Sequence, residues 1–391
     1  AADEASIAIL PFQNQSGDAA DNLLCDGITT DVIERVSRFR ELVVIARHSA
    51  FLCRSLSHAP ADVGQVLGAR YVAIGAVRRS GTRLRVSAQL LEAENGRVLW
   101  SDRYDGILED IFDFQDEVAD MMAARLASQV NAAERRRVIS SRAPNVAAYS
   151  LVLRGQDLTL RYRQETNSHA RRLFNEAADL DPIYARVYVG MSRTYSEAWR
   201  HGWEEQPEWS LTHAATLAMK AVDQDQLDAR GFAELGYVRF FQKQHQQALG
   251  AYQRAVELNP NDADVLAEMS DVLSSIGEAG RAVDLMKRAI RLNPCHPDWY
   301  LCNYADALFV LGQYPEVIET LLKMRDLTAG HRLLAASYAL LGQHANAHVH
   351  AQAVRTVYPN FSLEHWKKVP PDPDSPWLDK YLEGLSLAGL D

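Results

Sequence analysis

The residues with the clearest potential for metal chemistry form a histidine cluster in the last quarter of the chain. His344 and His348 have the i, i+4 spacing that places two imidazoles on one face of a helix, and His350 follows closely. A zinc-binding helix face of this kind also needs an acidic residue between the two histidines, and none is present. We therefore predict a polar helix face here and no metal site.

Cysteines and acidic residues are the other candidates for chemistry. The cysteines form no Cys-x-x-Cys pair, so we expect buried free thiols at Cys25, Cys53, Cys295 and Cys302. One acidic group has no partner histidine, and we interpret it as charge at the start of a helix: Asp102, Asp105, Glu109 and Asp110. A second group, Asp372 and Asp374, lacks the glycine of a calcium loop, and we interpret it as a turn. Phosphate-loop, dinucleotide and Gly-x-Ser-x-Gly motifs are absent from the sequence. We predict no catalytic residue and no cofactor.

Composition and charge indicate which kinds of partner this protein is expected not to bind. The chain has 391 residues, 47% of them hydrophobic, which is typical of a globular protein. Its 41 basic and 51 acidic residues give a net charge of −10, whereas a protein that neutralises phosphates usually carries the opposite balance. The longest apolar runs are far shorter than the roughly 20 residues that a membrane helix needs. We expect neither direct nucleic-acid binding nor a membrane span.

The N-terminal third alternates strand and helix patterns. Apolar runs at 6–12, 42–46 and 71–78 predict buried strands, and the alternation of Leu84, Val86, Ala88 and Leu90 with polar residues predicts a strand with one wet face. Helical spacing is present over 21–38, 61–67 and 110–130. The sequence thus predicts an α/β domain, a mixed sheet with packed helices, over residues 1–131. A charged stretch at 132–143 is interpreted as a linker.

From residue 144 onward the pattern is purely helical and repeats every 34 residues. Ala248, Ala255 and Pro260 recur as Ala282, Ala289 and Pro294, which is the spacing of tetratricopeptide repeats (TPRs). Small residues let two antiparallel helices approach closely, and proline ends the second helix. By this register we expect an all-α TPR superhelix of about six helix pairs over 144–360, with an insertion of twelve residues near 199–209. Residues 361–391 are expected to form a cap.

The repeat register also predicts a binding surface. The first helix of each TPR pair lines the concave face of the array, which we call the groove. The groove positions with the strongest binding potential are Tyr184, Tyr195, Arg230, Tyr237, Phe241 and Trp299. Aromatic side chains and an arginine could hold a peptide, a protein or a small ligand there. The alternative is that these aromatics only pack between neighbouring helices. For Phe240, which the same register also places in the groove, packing is the stronger interpretation.

An ordered series of segments resembles a known architecture. The segments are 6–12 (SIAILPF), 26–28, 44–47, 68–71, 100–104 (WSDRY) and 108–112. They resemble the TolB-N-terminal-like (FlgO-like) domain that bacterial signalling proteins place before a TPR array, and residues 293–300 and 381–390 are similar to the same architecture. In that family the TolB-N-terminal-like domain and the TPR array together form the C-terminal part of class III adenylate cyclases or of winged-helix transcription regulators. The resemblance implies an N-terminal head and no catalytic residue in this region, and a start without methionine fits a removed head.

Two functions therefore remain open from the sequence. The first is a non-catalytic sensor and protein-interaction module, cytoplasmic, that regulates a cyclase or DNA-binding head. The second is a free-standing periplasmic TPR scaffold, and an enzyme of unknown type is a remote third. The residues upstream of Ala1 would separate the first two, since a head domain supports one and a signal peptide the other.

Overall fold

The computed structural model describes residues 5–39, 42–55, 60–107, 145–161, 163–203, 206–358, 361–366 and 376–390. The helix expected over 110–130, the linker at 132–143, the segment 108–112 and the aspartates Asp372 and Asp374 lie outside these residues and stay predictions. The chain forms two compact units. Their residues are 1–238 with 251–262 and 292–295, and 239–250 with 263–291 and 296–391. The first unit thus runs across the expected domain boundary.

A mixed sheet lies at the start of the first unit, as the sequence predicts. Its strands are β1 Ala5–Ile9, β2 Gln13–Asn14, β3 Leu42–Val44, β4 Tyr71–Ser80, β5 Arg83–Glu92 and β6 Val98–Ile107. The strand order is β3-β1-β4-β5-β6, and β2 pairs with β4. Strand β1 runs parallel to β3 and β4, whereas β4, β5 and β6 form an antiparallel meander.

Helices pack on both faces of this sheet. They are α1 Asp21–Ser37, α2 Arg47–Leu52 and α3 Pro60–Leu67. Helix α1 packs Ile28 and Val32 against Ile7 and Val77 on one face, and the buried residues of the other face include Val63 of α3. The sequence did not predict α2, because six residues with no capping side chain carry no periodic signal.

The described residues from 145 onward form fourteen helices, which is the α-helical array that the repeat predicts. They are α4 Val146–Thr159, α5 Gln164–Leu180, α6 Ala185–Arg200, α7 Pro207–Gln224, α8 Ala229–Phe241, α9 His245–Leu258, α10 Ala263–Ser275, α11 Ala279–Leu292, α12 Asp298–Val310, α13 Tyr314–Leu321, α14 His331–Leu340, α15 His344–Val357, α16 Leu363–Trp366 and α17 Pro376–Leu387. The expected insertion lengthens α6 and α7 to 16 and 18 residues, against 13 and 14 for α8 and α9.

Glycines and large aromatics pack the helix pairs together. A Cβ atom on Gly190 would lie 2.3 Å from the Phe174 ring, and one on Gly236 would lie 2.9 Å from the Tyr252 ring. Phe174 and Tyr252 are both fully buried. The small-to-large pairing therefore has the steric reason that the sequence predicts.

The turn between the two helices of a pair requires a left-handed residue. Gly277, Gly312 and Gly342 have φ angles of 85°, 73° and 72°. Lys243 is the equivalent residue between α8 and α9, with φ of 63°. Its amide donates to the Phe240 carbonyl at 2.8 Å, just as the Gly312 amide donates to the Phe309 carbonyl at 2.8 Å. A non-glycine residue in this conformation carries backbone strain.

Candidate functional site

Helix α1 of the α/β domain contacts the repeat helices of the first unit through a buried ion-pair cluster. Arg186 on α6 places Nη1 2.5 Å from Asp31 Oδ1 and Nη2 3.1 Å from Glu34 Oε2. Arg230 on α8 also donates to Glu34. We call this set, with Tyr149, the α1 cluster. It links the sheet domain to three repeat helices through charge-assisted hydrogen bonds.

The carboxylates in these contacts are largely buried. The side chains of Asp31 and Glu34 are 12% and 8% exposed. Tyr149 on α4 donates its hydroxyl to Asp31 Oδ2 at 2.5 Å, so the second carboxylate oxygen is also satisfied. Asp228 lies just before α8, with Oδ2 3.5 Å from Arg186 Nε. Three carboxylates thus surround Arg186, which holds its charge in a site largely closed to water.

Opposite charges within the cluster shift the pKa values of Arg186 and Asp228. Burial alone would lower the pKa of Arg186, but Glu34 and Asp31 outweigh it and raise that pKa well above its usual value. Burial alone would raise the pKa of Asp228, but Arg186 and Arg230 hold it below the usual value. The opposite charges therefore favour the charged forms of Arg186 and Asp228 against the effect of burial.

The loops that begin α10 and α12 also contact the α/β domain. Asn261 donates its side-chain amide to the carbonyls of Ser37 and Phe39, at 2.9 and 3.2 Å, where α1 ends. Ser49 of α2 donates to Asn293 Oδ1 at 2.5 Å, and the Ala46 amide donates to the Leu292 carbonyl at 2.7 Å. These bonds cap the end of α1 and fix the start of α2. The repeat loops thus supply polar groups that the α/β domain requires.

Two of the predicted groove residues belong to this contact. Arg230 pairs with Glu34, and its backbone amide donates to Asp228 Oδ1 at 3.0 Å. Tyr184 lies at the start of α6 among the same charges, and burial raises its pKa above the usual value. In this structure Arg230 thus has a partner from within the chain, and Tyr184 is packed near the same charges.

Tyr237 lies in a second buried network between α6 and α8. Its hydroxyl accepts from Arg200 Nη1 at 3.0 Å and donates to Glu197 Oε1 at 3.3 Å. The Arg193 guanidinium lies 4.1 Å from the Tyr237 ring centroid and pairs with Glu234 at 2.7 Å. Burial raises the pKa of Glu234 despite Arg193. The Tyr237 side chain is 6% exposed, so its packing role is substantial.

Tyr195 belongs to an aromatic cluster at the insertion. The Arg171 guanidinium lies 3.8 Å from its ring centroid. Trp209 and His213 meet the ring edge-on at 5.6 and 4.7 Å and stack on each other at 4.7 Å. Trp209 is 52% exposed. The insertion therefore presents an aromatic surface beside a groove position.

Phe241 and Trp299 lie in the second unit and are both partly exposed. The Phe241 ring lies 5.4 Å from that of Phe240, which is buried as its packing interpretation requires. Trp299 meets the ring of Tyr300 at 4.4 Å, and Tyr300 is fully buried. Both residues therefore combine a packed edge with a solvent-exposed one, and their binding role stays a proposal.

Asp306 lies on α12 in the second unit, and the pKa of its carboxyl is raised. Its side chain is exposed to solvent, yet surrounding atoms desolvate it enough, together with Asp271, to raise its pKa to about 7. Arg332 acts in the opposite direction. Because the side chain is exposed, water screens these interactions, and the upward direction of the shift is the property that matters below.

The candidates for metal chemistry are dispersed. His344 and His348 are exposed on α15, whereas His350 places Nδ1 3.0 Å from Nδ1 of His331 on α14. Among the described residues, no group of three or more histidine, cysteine or acidic side chains could hold a metal ion. Burial, Asp26 and Asp21 raise the pKa of the Cys25 thiol to about 12, which disfavours the nucleophilic thiolate.

The sequence did not predict the α1 cluster. Arg186 falls outside the groove register, and Asp31 and Glu34 resemble ordinary surface charges of an amphipathic helix. A spacing of 155 residues separates Asp31 from Arg186, and no local pattern links positions so far apart. Asp31 and Glu34 are an acidic pair at i, i+3 on a helix that also carries Asp21, Asp26 and Arg35, so this pair does not stand out in the sequence.

Comparisons with known proteins relate both halves of the chain to regulators and repeat proteins. The family model for the second domain of HilA/YgeH-like transcriptional regulators matches residues 3–121. The protein named "Putative adenylate cyclase 3" of Rhizobium meliloti (strain 1021) is 35% identical over 226 residues, which are 58% of this chain and 38% of that protein. The Hsp70-Hsp90 organizing protein of Triticum aestivum is 25% identical over 120 residues, 31% of this chain and 19% of that protein. The chain thus spans well under half the length of these two relatives.

Solved structures with similarity to the chain are repeat proteins of lower identity. The structure of Pseudomonas aeruginosa pilF is 17% identical, covers 56% of this chain and 96% of its own, and has a TM-score of 0.43. A thermophilic TPR protein of Thermus thermophilus is 14% identical, covers 51% and 94%, and has a TM-score of 0.36. Among the described residues, no helix is long and apolar enough to cross a membrane.

Fold, contacts and relatives together define the class of protein. The chain is an α/β domain followed by a TPR superhelix, and it is a protein-interaction or regulatory module. The TPR array is the expected one. The N-terminal residues 3–121 are similar to the second domain of HilA/YgeH-like transcriptional regulators, and their TolB-like character stays a proposal.

Proposed function

We propose that this chain is the regulatory part of a bacterial signalling protein and transmits a signal to a cyclase or DNA-binding head. The α1 cluster carries the proposal, because it couples the α/β domain to the repeats through a few buried charges. We call the state with the α1 cluster formed docked and the state with it broken undocked. A ligand or protein that binds the α/β domain or the repeats changes this equilibrium only if its affinity differs between the two states. In the proposed mechanism, the α1 cluster is the contact that is formed in one state and broken in the other.

Two comparisons support a cyclase or DNA-binding head. One carries the name of an adenylate cyclase, and the matched domain model comes from transcriptional regulators. The net charge of −10 favours a module that does not itself contact DNA. We propose a cytoplasmic location on the same grounds, and peptide or protein binding in the groove as the function of the repeats.

A chimera tests this function directly. The matching segment of the Rhizobium meliloti relative is replaced by this chain, and cyclic AMP is measured in a cyclase-deficient bacterial strain. We expect Arg230→Gln and, from the other side of the contact, Glu34→Gln to change cyclic AMP output several-fold in the same direction. Circular dichroism of each purified chimera shows whether it is folded.

Arg254→Gln is the matched control. It removes an arginine from an exposed pair with Glu257 on α9, at 2.9 Å, and leaves the α1 cluster intact. Equal cyclic AMP output from the folded parent, both cluster variants and the control would contradict the proposed regulatory role.

A further inference from the structure

A cavity of about 430 Å³ lies inside the α/β domain, where the first strand is interrupted. Strands β1 and β2 both pair with β4, but the chain between them contains Pro11, which cannot donate a backbone hydrogen bond. The Phe12 amide instead donates to Thr29 Oγ1 at 2.9 Å. This break leaves a space between β4 and α1, and its volume is typical of small-molecule sites.

The position of the cavity in the sheet is one where ligands bind. After β1 the chain passes to α1 on one face of the sheet, whereas after β3 it passes to α2 and α3, and α3 packs on the other face. Adjacent parallel strands that continue on opposite faces leave a crevice outside their carboxyl ends, and open α/β sheets bind ligands there. Leu10 follows β1 and Cys53 follows α2, and both line the cavity.

The wall of the cavity is mostly apolar, and its rim is charged. Leu10, Val63, Val72 and Ile74 form an aliphatic surface on the α3 side. At the rim, Asp26 of α1 pairs with Arg54, and their side chains are 21% and 52% exposed. Asn14 closes the rim nearby, held by its bonds to the Asp18 carbonyl at 2.7 Å and to Asn22 Oδ1 at 2.8 Å.

The charge pair restricts the chemistry of a ligand. A simple anion that engaged Arg54 would leave the Asp26 carboxylate without its partner, and a simple cation at Asp26 would leave Arg54 alone. A ligand with an ammonium and a carboxylate satisfies both, and its side chain can occupy the aliphatic interior. We propose that this cavity binds a small zwitterion with an apolar side chain, of the class of free hydrophobic α-amino acids.

The cavity and the α1 cluster share one helix. Asp26 lies five residues before Asp31, about one and a half turns of α1. Between them, Thr30 donates to the Asp26 carbonyl at 2.7 Å and accepts from Arg47 Nε at 2.9 Å. An amino acid that separates Asp26 from Arg54 therefore acts on the helix that holds the repeats. This second step rests on the proposed regulatory function, whereas binding itself does not.

Titration of the full chain tests the binding step. L-leucine, L-methionine and L-phenylalanine are compared by calorimetry and thermal shift with phenethylamine and 3-phenylpropionate, which each retain one charge of phenylalanine. We expect at least one amino acid to bind and raise the melting temperature, and both one-charge analogues to bind at least about tenfold more weakly. No binding by any of the three amino acids, or equal binding by either analogue, would overturn the proposal.

Variants locate the site. Arg54→Gln removes one rim charge and Ile74→Trp fills the interior, and we expect each to weaken amino-acid binding at least about tenfold. Arg85→Gln is the control, because Arg85 pairs with Asp105 on the exposed surface of the same sheet. Unchanged binding in Arg54→Gln or in folded Ile74→Trp would overturn the assignment to this cavity. Amino-acid binding without any change in cyclic AMP output of the chimera would contradict only the proposed regulation.

Discussion

Arg186 Nη1 lies 2.5 Å from Asp31 Oδ1 and thereby joins a repeat helix to a helix of the α/β domain across 155 residues of sequence. The same guanidinium reaches Glu34 at 3.1 Å and Asp228 at 3.5 Å. One side chain thus pairs with three carboxylates that are each 12% exposed or less. Arg186 thus pairs with more carboxylates of the cluster than Arg230, which donates to Glu34.

Loss of this cation is expected to be costly. Arg186→Gln should lower the free energy of unfolding by about 3 kcal/mol, because removal of one partner leaves buried carboxylates unpaired. Urea denaturation monitored by circular dichroism measures the change. Arg85→Gln, in an exposed pair with Asp105, should leave the midpoint unchanged. A similar midpoint for both variants would show that the α1 cluster contributes little to stability.

The helix crossings give a prediction about glycine. Gly190→Ala should destabilise the protein by about 2 kcal/mol, because the new methyl group would meet the buried Phe174 ring at 2.3 Å. Gly250→Ala is the control on α9, where nothing lies within 4 Å of a Cβ atom, and helix propensity should stabilise it by about 0.5–1 kcal/mol. Thermal melts distinguish the two signs, and equal melting temperatures would contradict the packing argument.

Lys243, whose backbone is in the left-handed conformation, is a position where a substitution by glycine should stabilise the protein. Lys243→Gly should raise the free energy of unfolding by about 1 kcal/mol, since glycine adopts a φ of 63° without steric cost. Chemical denaturation provides the measurement. Lys287→Gly, at an exposed position inside α11, should instead lower stability by about 1 kcal/mol. If Lys243→Gly is destabilising, contacts of the lysine side chain outweigh the backbone strain.

The raised pKa of Asp306 leads us to predict that the stability of the protein depends on pH. Desolvation and Asp271 raise the pKa of its carboxyl above the roughly 3.9 of an unfolded aspartate. The folded chain therefore releases this proton at a higher pH than the unfolded chain does, and stability falls as pH rises above about 4. Asp306→Asn should reduce this fall, so that its advantage over the parent is larger at pH 8 than at pH 4. Denaturation midpoints across this range test it, with Asp284→Asn on the exposed side of α11 as a control.

Tyr237 and Trp299 are expected to respond differently to truncation. Tyr237→Ala should cost about 3 kcal/mol of stability, because its side chain is 6% exposed and its hydroxyl joins Arg200 to Glu197. Trp299→Ala should barely change the melting temperature while weakening a groove-binding peptide by more than about 1 kcal/mol. A peptide selected from a display library on the full chain serves as the probe. A large loss of melting temperature with unchanged affinity in Trp299→Ala would make that residue part of the core.

The sequence alone was sufficient for the architecture, because local patterns carry that information. Alternating residues in the 83–92 strand and the 34-residue recurrence of small residues predicted the sheet and the helix pairs. The positive φ angles of Gly277 and Gly312 are also local, since only the turn itself requires them. Helix α2 escaped prediction because six residues form a helix there through tertiary contacts rather than through propensity.

Only the tertiary structure decided which charges meet. The register placed Arg230 at a groove position, but its partner Glu34 lies 196 residues earlier, and nothing in either segment encodes the other. Likewise, the cavity beside Asp26 exists because a strand break, a helix and a crossover converge in space. Periodicity records what each residue does within its own helix or strand, whereas ion pairs and cavities depend on how those elements pack, which is a long-range property of the folded chain.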